Sequence, residues 1–250
     1  MGLSIALHGG PGMGKTTLAA TAPGPRLHID TEGGNEWLAG KVTPWTDLGK
    51  LPEGIDEATT VTVNVSGDHA IEIFQAIYQW LMSGKHPFNS VILDSLSEMQ
   101  QRIIDKQTPI GAGDPDWVSV VRIMSKMIRD LKDLKNHPVK PLQAIIFICG
   151  TDQKMSDKRV IAIQPALTGQ LATKLPHFVD VCGYTTLVWD TENQSHVQYL
   201  QILPMDDVLK VKDRTSPPGR VGLSSTYGPT IVNPNIITML QVVNQAQAVA

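Results

Sequence analysis

Cysteine is scarce in this sequence. The 250-residue chain has two, Cys149 and Cys182, both inside apolar runs. So few cysteines exclude a disulfide scaffold and predict buried free thiols in a reducing compartment. Charge of one sign is lacking too: charged residues make up 18% and the formal net charge is −3. A near-neutral balance excludes a broadly polyanion-binding surface, so any nucleic-acid contact must come from a local patch or loop. Residues 1–8 lack the charged start and long apolar stretch of a signal peptide. No apolar run reaches the ~18 residues of a membrane span. Internal repeats and low-complexity segments are absent. A soluble, cytoplasmic protein without membrane contact is expected. What remains is ordinary: 42% hydrophobic residues and a length that suits one large domain, or one domain with appendages.

Against that background residues 9–17 carry the chemistry. Gly9-Gly10-Pro11-Gly12-Met13-Gly14-Lys15-Thr16-Thr17 fits the phosphate-binding pattern G-x-x-x-x-G-K-[ST] with no mismatch. The glycines let the backbone bend into a nest whose N–H groups face phosphate oxygens. Lys15 brings a mobile point charge to the β- and γ-phosphates, and the Thr16 hydroxyl is a ligand for Mg²⁺. The context agrees, with an apolar strand over 3–8 before the loop and a helix from Thr16 onward, whose N-terminus also faces the anion.

A second strand, 25–30, ends in Thr31-Glu32-Gly33-Gly34. A carboxylate at that place either orients a water for attack on the γ-phosphate or is a solvated loop acid. Residues 35–60 show no clear period and hold Trp37 and Trp45, which pack on the core or against a neighbouring subunit. Residues 60–65 alternate as a strand. Asp68 reads as the cap of a helix to about Ser83, with Ile71, Phe74, Ile77, Tyr78 and Leu81 on one face. Ser90-Val91-Ile92-Leu93-Asp94-Ser95 has the form of a Walker B element, an apolar strand delivering a metal-holding carboxylate, Asp94, with Ser95 as an aid to the metal shell.

Residues 96–106 read as a helix and 108–113 as a flexible loop. Asp114 or Asp116 caps a long helix to about Asn136, whose apolar stripe runs from Trp117 to Leu134. Its cations Arg122, Lys126, Arg129, Lys132 and Lys135 form either a solvated face or a phosphate-tracking patch. An apolar central strand over 142–149 delivers Thr151-Asp152-Gln153-Lys154 to the sheet edge that carries Asp94. Residues 154–166 suggest a mobile hairpin or loop, 167–175 a short helix, and 178–189 with 195–203 a strand hairpin. Residues 208–214 alternate, which puts Lys212 and Arg214 on one side of an extended segment. Residues 235–248 read as a final helix. Strands alternating with helices up to about residue 150 imply an α/β fold with a parallel sheet, which the later hairpin extends in antiparallel fashion.

The phosphate loop, Ile29-Asp30-Thr31-Glu32-Gly33 and Ile92-Leu93-Asp94-Ser95 together resemble the RecA/RadA recombinase class of ATPases. Gln164-Pro165-Ala166-Leu167-Thr168-Gly169 and Lys212-Asp213-Arg214-Thr215 make the chain similar to its minimal phage-type members. These are the Sak-type, RecA-core single-strand annealing ATPases, also grouped as AAA-like phage nucleotide-binding proteins. The resemblance covers residues 3–216. It implies a RecA-like P-loop core over 1–216, with 217–250 a loop and helix appended to the same domain. It implies ATP and Mg²⁺, with Glu32 as catalytic base and Thr16 and Asp94 on the metal. Gln153 is the best match to the family's phosphate sensor, with Thr151 and Asp152 as close competitors. Lys212 and Arg214 would reach the nucleotide of an adjacent subunit in a ring or filament. The family's N-terminal oligomerisation segment and C-terminal DNA-gathering domain are expected to have no counterpart.

The resemblance further implies single-stranded DNA as partner, with a single-strand-binding protein as an optional one. Two loops, about 107–114 and 154–164, would line the DNA path, with Lys154, Lys158 and Arg159 on phosphates. Neither loop has an aromatic residue for base stacking. Three other functions use a phosphate loop. A small-molecule kinase needs an arginine-rich lid, which is missing. A GTPase needs the Asn-Lys-x-Asp motif, which is missing too. A nucleotide-binding module that loads another DNA-processing protein differs from the first reading only in lacking annealing activity of its own.

Overall fold

A computed structural model describes residues 2–34, 41–108, 113–218 and 220–248 of the chain. Its centre is a parallel arrangement of four strands: β1 (Leu3–His8), β2 (Arg26–Asp30), β5 (Ser90–Asp94) and β6 (Ala144–Cys149). Nearly all their residues are buried, as expected of near-continuous apolar strands covered on both faces. The flanking strands are β3 (Lys41–Pro44), β4 (Thr59–Asn64), β9 (Val181–Asp190), β10 (Ser195–Gln201), β11 (Lys212–Asp213) and β12 (Thr230–Val232). The sheet runs β12-β10-β9-β1-β6-β5-β2-β4-β3, with β11 pairing β9. β9 joins β1 in parallel, while β10, β11 and β12 are antiparallel. This is the expected α/β class, a mostly parallel sheet flanked by helices with an antiparallel hairpin.

Strand periodicity sorts the core into two layers. Ile145, Phe147 and Cys149 of β6 face one cluster, which also holds the apolar sides of α2 (Ala70–Met82), α3 (Leu96–Gln107), α4 (Trp117–Asp133) and α5 (Leu171–Phe178). Ala144, Ile146 and Ile148 face the other, with α1 (Lys15–Ala19), α6 (Leu223–Tyr227) and α7 (Ile236–Ala248). A separate two-stranded hairpin, β7 (Thr151–Ser156) and β8 (Arg159–Pro165), leaves the end of β6. Asp157 and Lys158 at its tip both have positive φ, 48° and 66°, which fits a tight two-residue hairpin turn.

Several local expectations are corrected. Helix α2 starts after His69 and has no side-chain cap, so Asp68 does not cap it. Asp116, not Asp114, caps α4, accepting from the N–H groups of Val118 and Ser119. Trp117 is 45% exposed rather than part of the buried stripe, because the first turn of α4 extends past the core. The helix expected over 167–175 begins at Leu171. Before it, Thr168 is held in a loop by Gln100, whose Oε1 accepts from Thr168 N at 2.7 Å. Strand β3 falls inside the stretch read as irregular. Trp37 lies outside the described residues, as does 109–112 of the first expected DNA loop.

Trp45 packs on the core. It is 4% exposed, its ring lies 4.9 Å from that of Trp80, and its Nε1 donates to the carbonyls of Asp47 and Lys50. Trp45→Ala should therefore cost about 3 kcal/mol or more in urea unfolding, from lost burial and a residual cavity. A loss under about 1 kcal/mol would mean that this indole does not anchor the edge of the sheet.

Candidate functional site: a nucleotide-binding phosphate loop

The loop from Gly9 to Gly14 joins β1 to α1 as the motif requires. Gly12 and Gly14 have φ of +73° and +72°, a left-handed conformation that side chains with a Cβ resist. The loop glycines are needed at those two positions to turn the backbone. Helix α1 has five residues, so its dipole is small and the anion-binding capacity rests on the loop N–H groups and Lys15. The Lys15 ammonium donates to the carbonyls of Gly9 and Gly10 at 2.9 and 2.8 Å. Burial lowers its pKa, and the nearby carboxylates of Asp94 and Glu32 oppose that fall. Thr16 Oγ1 donates to Asp94 Oδ2 at 2.7 Å, so the hydroxyl and the Walker B carboxylate meet across the sheet edge.

Register brings the remaining groups to the same place. Asp30 and Asp94 are direct neighbours at the ends of β2 and β5. Asp30 Oδ1 accepts from the N–H groups of Glu32 and Gly33 at 3.0 and 2.8 Å, which shapes the turn after β2. Thr31 clamps that turn to the start of α3. Its Oγ1 accepts from Ser95 N at 2.7 Å and donates to Ser95 O at 3.1 Å. The Ser95 hydroxyl donates to Glu32 Oε1 and accepts from Glu98 N at the helix start. Glu32 is thus held by a residue adjacent to Asp94. Ser95 serves as a cap and a carboxylate anchor, where the sequence suggested a metal-shell role. His28 was not singled out from sequence. It is buried one pleat before Asp30, with Nε2 3.4 Å from Asp94 Oδ2.

These groups suit a magnesium nucleotide. Thr16 and Asp94 are hard oxygen ligands, and Asp30 Oδ2 is a buried carboxylate oxygen with no hydrogen-bond partner among the described residues. Among those residues no cluster of three or more His, Cys, Asp or Glu would hold a metal by itself. Across the chain as a whole, residues 1–215 match a family described as an AAA domain. The chain belongs to this AAA-domain family. It is a P-loop ATPase-type domain.

No curated protein matches the AAA domain described here. Solved structures similar to it include an ATPase from the type III secretion system of pathogenic bacteria, at 15% identity and a TM-score of 0.41, covering 74% of this chain and 52% of that one. The flagellar accessory protein FlaH from Methanocaldococcus jannaschii aligns at 14% identity and 0.41, over 94% and 87% of the two chains. The assembled type III secretion ATPase EscN from enteropathogenic E. coli aligns at 17% and 0.39, over 74% and 43%. The AAA domain thus spans about half the length of the two secretion ATPases. Among its described residues no helix is long and apolar enough to cross a membrane.

Other predicted residues lie apart from the loop. Of the three sensor candidates, Thr151 is tied to the phosphate-loop strand: its Oγ1 lies 3.2 Å from His8 Nδ1. Gln153 is exposed on β7 opposite Ile163, and Asp152 is exposed beside it. Lys154, Lys158 and Arg159 are exposed along the β7–β8 hairpin and its tip. Lys212 Nζ lies 3.4 Å from His177 Nδ1, and Arg214 donates to the His177 carbonyl at 2.6 Å. Segment 212–214 runs antiparallel to β9, so Arg214 lies towards the start of β1, away from its own phosphate loop.

His8 was missed by sequence reasoning, since a histidine ending an apolar strand carries no motif. It is fully buried, packs at 5.2 Å against Tyr184, and has Nε2 3.2 Å from the Lys210 carbonyl. Burial lowers its pKa from 6.5 to about 4, opposed by the Lys210 carbonyl and reinforced by the charge on Lys15. Below pH 6.5 the unfolded chain binds a proton that folded His8 refuses, so this contribution to stability is lost as pH falls from 6.5 towards about 4. Urea unfolding at about pH 7 and about pH 4.5 should show a loss in the native chain larger by about 2 kcal/mol than in His8→Gln. Equal losses in the two proteins would remove His8 from the acid transition.

Proposed function

We propose that this AAA domain binds and hydrolyses MgATP and couples that cycle to single-stranded DNA in annealing or strand exchange, as a minimal phage-type recombination ATPase. The observation that carries the nucleotide reading is the 2.7 Å contact between Thr16 Oγ1 and Asp94 Oδ2, with Glu32 anchored one residue away on Ser95. Thr16 and Asp94 would hold Mg²⁺, which when bound neutralises charge on the β- and γ-phosphates. Gly9 to Thr17 cradle the phosphates, and Lys15 places its ammonium on them. Glu32 accepts a proton from the attacking water as the water oxygen bonds to the γ-phosphorus and the bridge to the β-phosphate breaks. Lys212 and Arg214, the latter lying away from its own loop, act on the nucleotide of a neighbouring subunit in a homo-oligomer.

The DNA reading is supported by the exposed cations Lys154, Lys158 and Arg159 and by the root of their hairpin. Thr151 begins β7 beside His8, and Ile163 of β8 exchanges hydrogen bonds with Val208 and Lys210 on the way to Lys212. The hairpin therefore touches both the phosphate-loop strand and the segment that reaches the neighbour. Backbone contacts of this kind give affinity that falls with salt.

Glu32→Gln should keep nucleotide binding and lose on the order of 10²–10⁴ in steady-state turnover. Undiminished turnover would take Glu32 out of the mechanism. Hydrolysis should rise with single-stranded oligonucleotide and with protein concentration, and the rise should fade with salt. The Lys154/Lys158/Arg159 triple alanine variant should lose the oligonucleotide response and keep basal turnover. An unchanged response and salt slope would place the DNA path elsewhere.

A further inference from the structure

One contact at the phosphate loop comes from a strand that no motif marks. Gln198 lies on β10, half-buried, opposite Leu187 of β9. Its Nε2 donates to the carbonyls of Met13 and Gly14 at 3.1 and 3.0 Å. The Gly14 carbonyl also accepts from Leu18 N, so it is fixed from two sides. A trans peptide is planar, with its C=O and N–H pointing in opposite directions. Pinning the Met13 carbonyl therefore aims the N–H of Gly14 away from Gln198, and pinning the Gly14 carbonyl does the same for the N–H of Lys15. Those two N–H groups belong to the nest that must face phosphate.

Gln198 is itself held in place from outside the segment that carries the family match. Asn233 Oδ1 accepts from Gln198 N at 3.1 Å, and Asn233 N donates to the Gln198 carbonyl at 2.7 Å. Three residues on, Ile236 N donates to Thr21 Oγ1, just past α1. Leu18 and Ala19 of α1 pack in the same cluster as Leu223, Ile236 and Met239. The packing is close: a Cβ on Gly14 would stand 2.6 Å from Gln198 Nε2.

We infer that Gln198 is a positioning residue for the phosphate loop, holding the Met13 and Gly14 carbonyls outward so that the Gly14 and Lys15 N–H groups are set for the phosphates before nucleotide arrives. The segment after residue 215 serves this loop by fixing Gln198 through Asn233. The inference rests on nucleotide binding at Gly9 to Thr17. Because the aimed groups face phosphate and not the base, ATP and ADP should depend on Gln198 alike.

The test is calorimetric titration of ATP and ADP into the native chain, Gln198→Met and Gln198→Lys, with thermal unfolding of each nucleotide-free protein. Methionine fills similar space without a donor, and lysine restores one. Gln198→Met should bind both nucleotides on the order of tenfold more weakly with an unchanged thermal midpoint, and Gln198→Lys should bind at least as tightly as the native chain. Native affinity in Gln198→Met overturns the inference. So does an affinity loss that accompanies a lowered midpoint in both variants, which would make Gln198 a packing residue. If the native chain itself binds neither nucleotide, the nucleotide reading falls first and this inference with it.

Discussion

Parallel pairing in a single register is the constraint on which the site depends. Leu7, Ile148, Asp94, Asp30 and Asn64 form one row across β1, β6, β5, β2 and β4. The row sits at the carboxyl ends of the strands, where the phosphate loop begins. A slip of one residue in β5 would turn Asp94 to the opposite face and break its contact with Thr16. The apolar residues before it, Val91 and Leu93 on one face and Ile92 on the other, fix the register by burial. The hydrophobic core therefore specifies where the carboxylates stand.

Around that row the charges are arranged economically. Lys15 is the cation at the loop, and the buried ring of His8 stays neutral at physiological pH, in part because Lys15 is near. The two thiols do not compete for chemistry. Burial raises the pKa of Cys149 well above the usual thiol range and that of Cys182 to about 12, so both are inert fillers of the sheet. Asp180, at the far end of β1, is bound by Ser4 and Lys135, which hold its carboxyl below the usual range despite burial.

What could be read from sequence was what is contiguous. The phosphate loop is one unbroken motif, Asp94 ends a recognisable apolar strand, and Glu32 stands two residues past the end of another. Buried helix faces were also legible, because Met124, Ile128 and Leu131 recur at helical spacing. The failures are of three kinds. Cap and boundary errors at Asp68 and Leu167 arose where several polar residues compete for one helix end. Gln198, His8 and His28 were missed for a different reason. Each acts through a partner distant in sequence, and a glutamine or histidine in a strand looks the same whether it meets solvent or a loop carbonyl. Strand β3 was hidden because among the described residues it pairs only with β4 at the sheet edge, so no hydrophobic run betrays it.

The order of the strands also bears on how the chain acquires its shape. β1 opens the sequence but sits in the middle of the sheet, where Ile5 pairs with Ile146 on one side and Val181 on the other. No neighbour in sequence can complete it. The loop after β1 therefore depends on strand pairings that span more than half of the chain, and contacts of that span slow folding. Until β6 and β9 arrive, the nucleotide motif is a flexible glycine-rich stretch beside an unpaired apolar strand. A ligand that recognises only the finished loop would bias the final step of folding and leave the earlier ones unchanged.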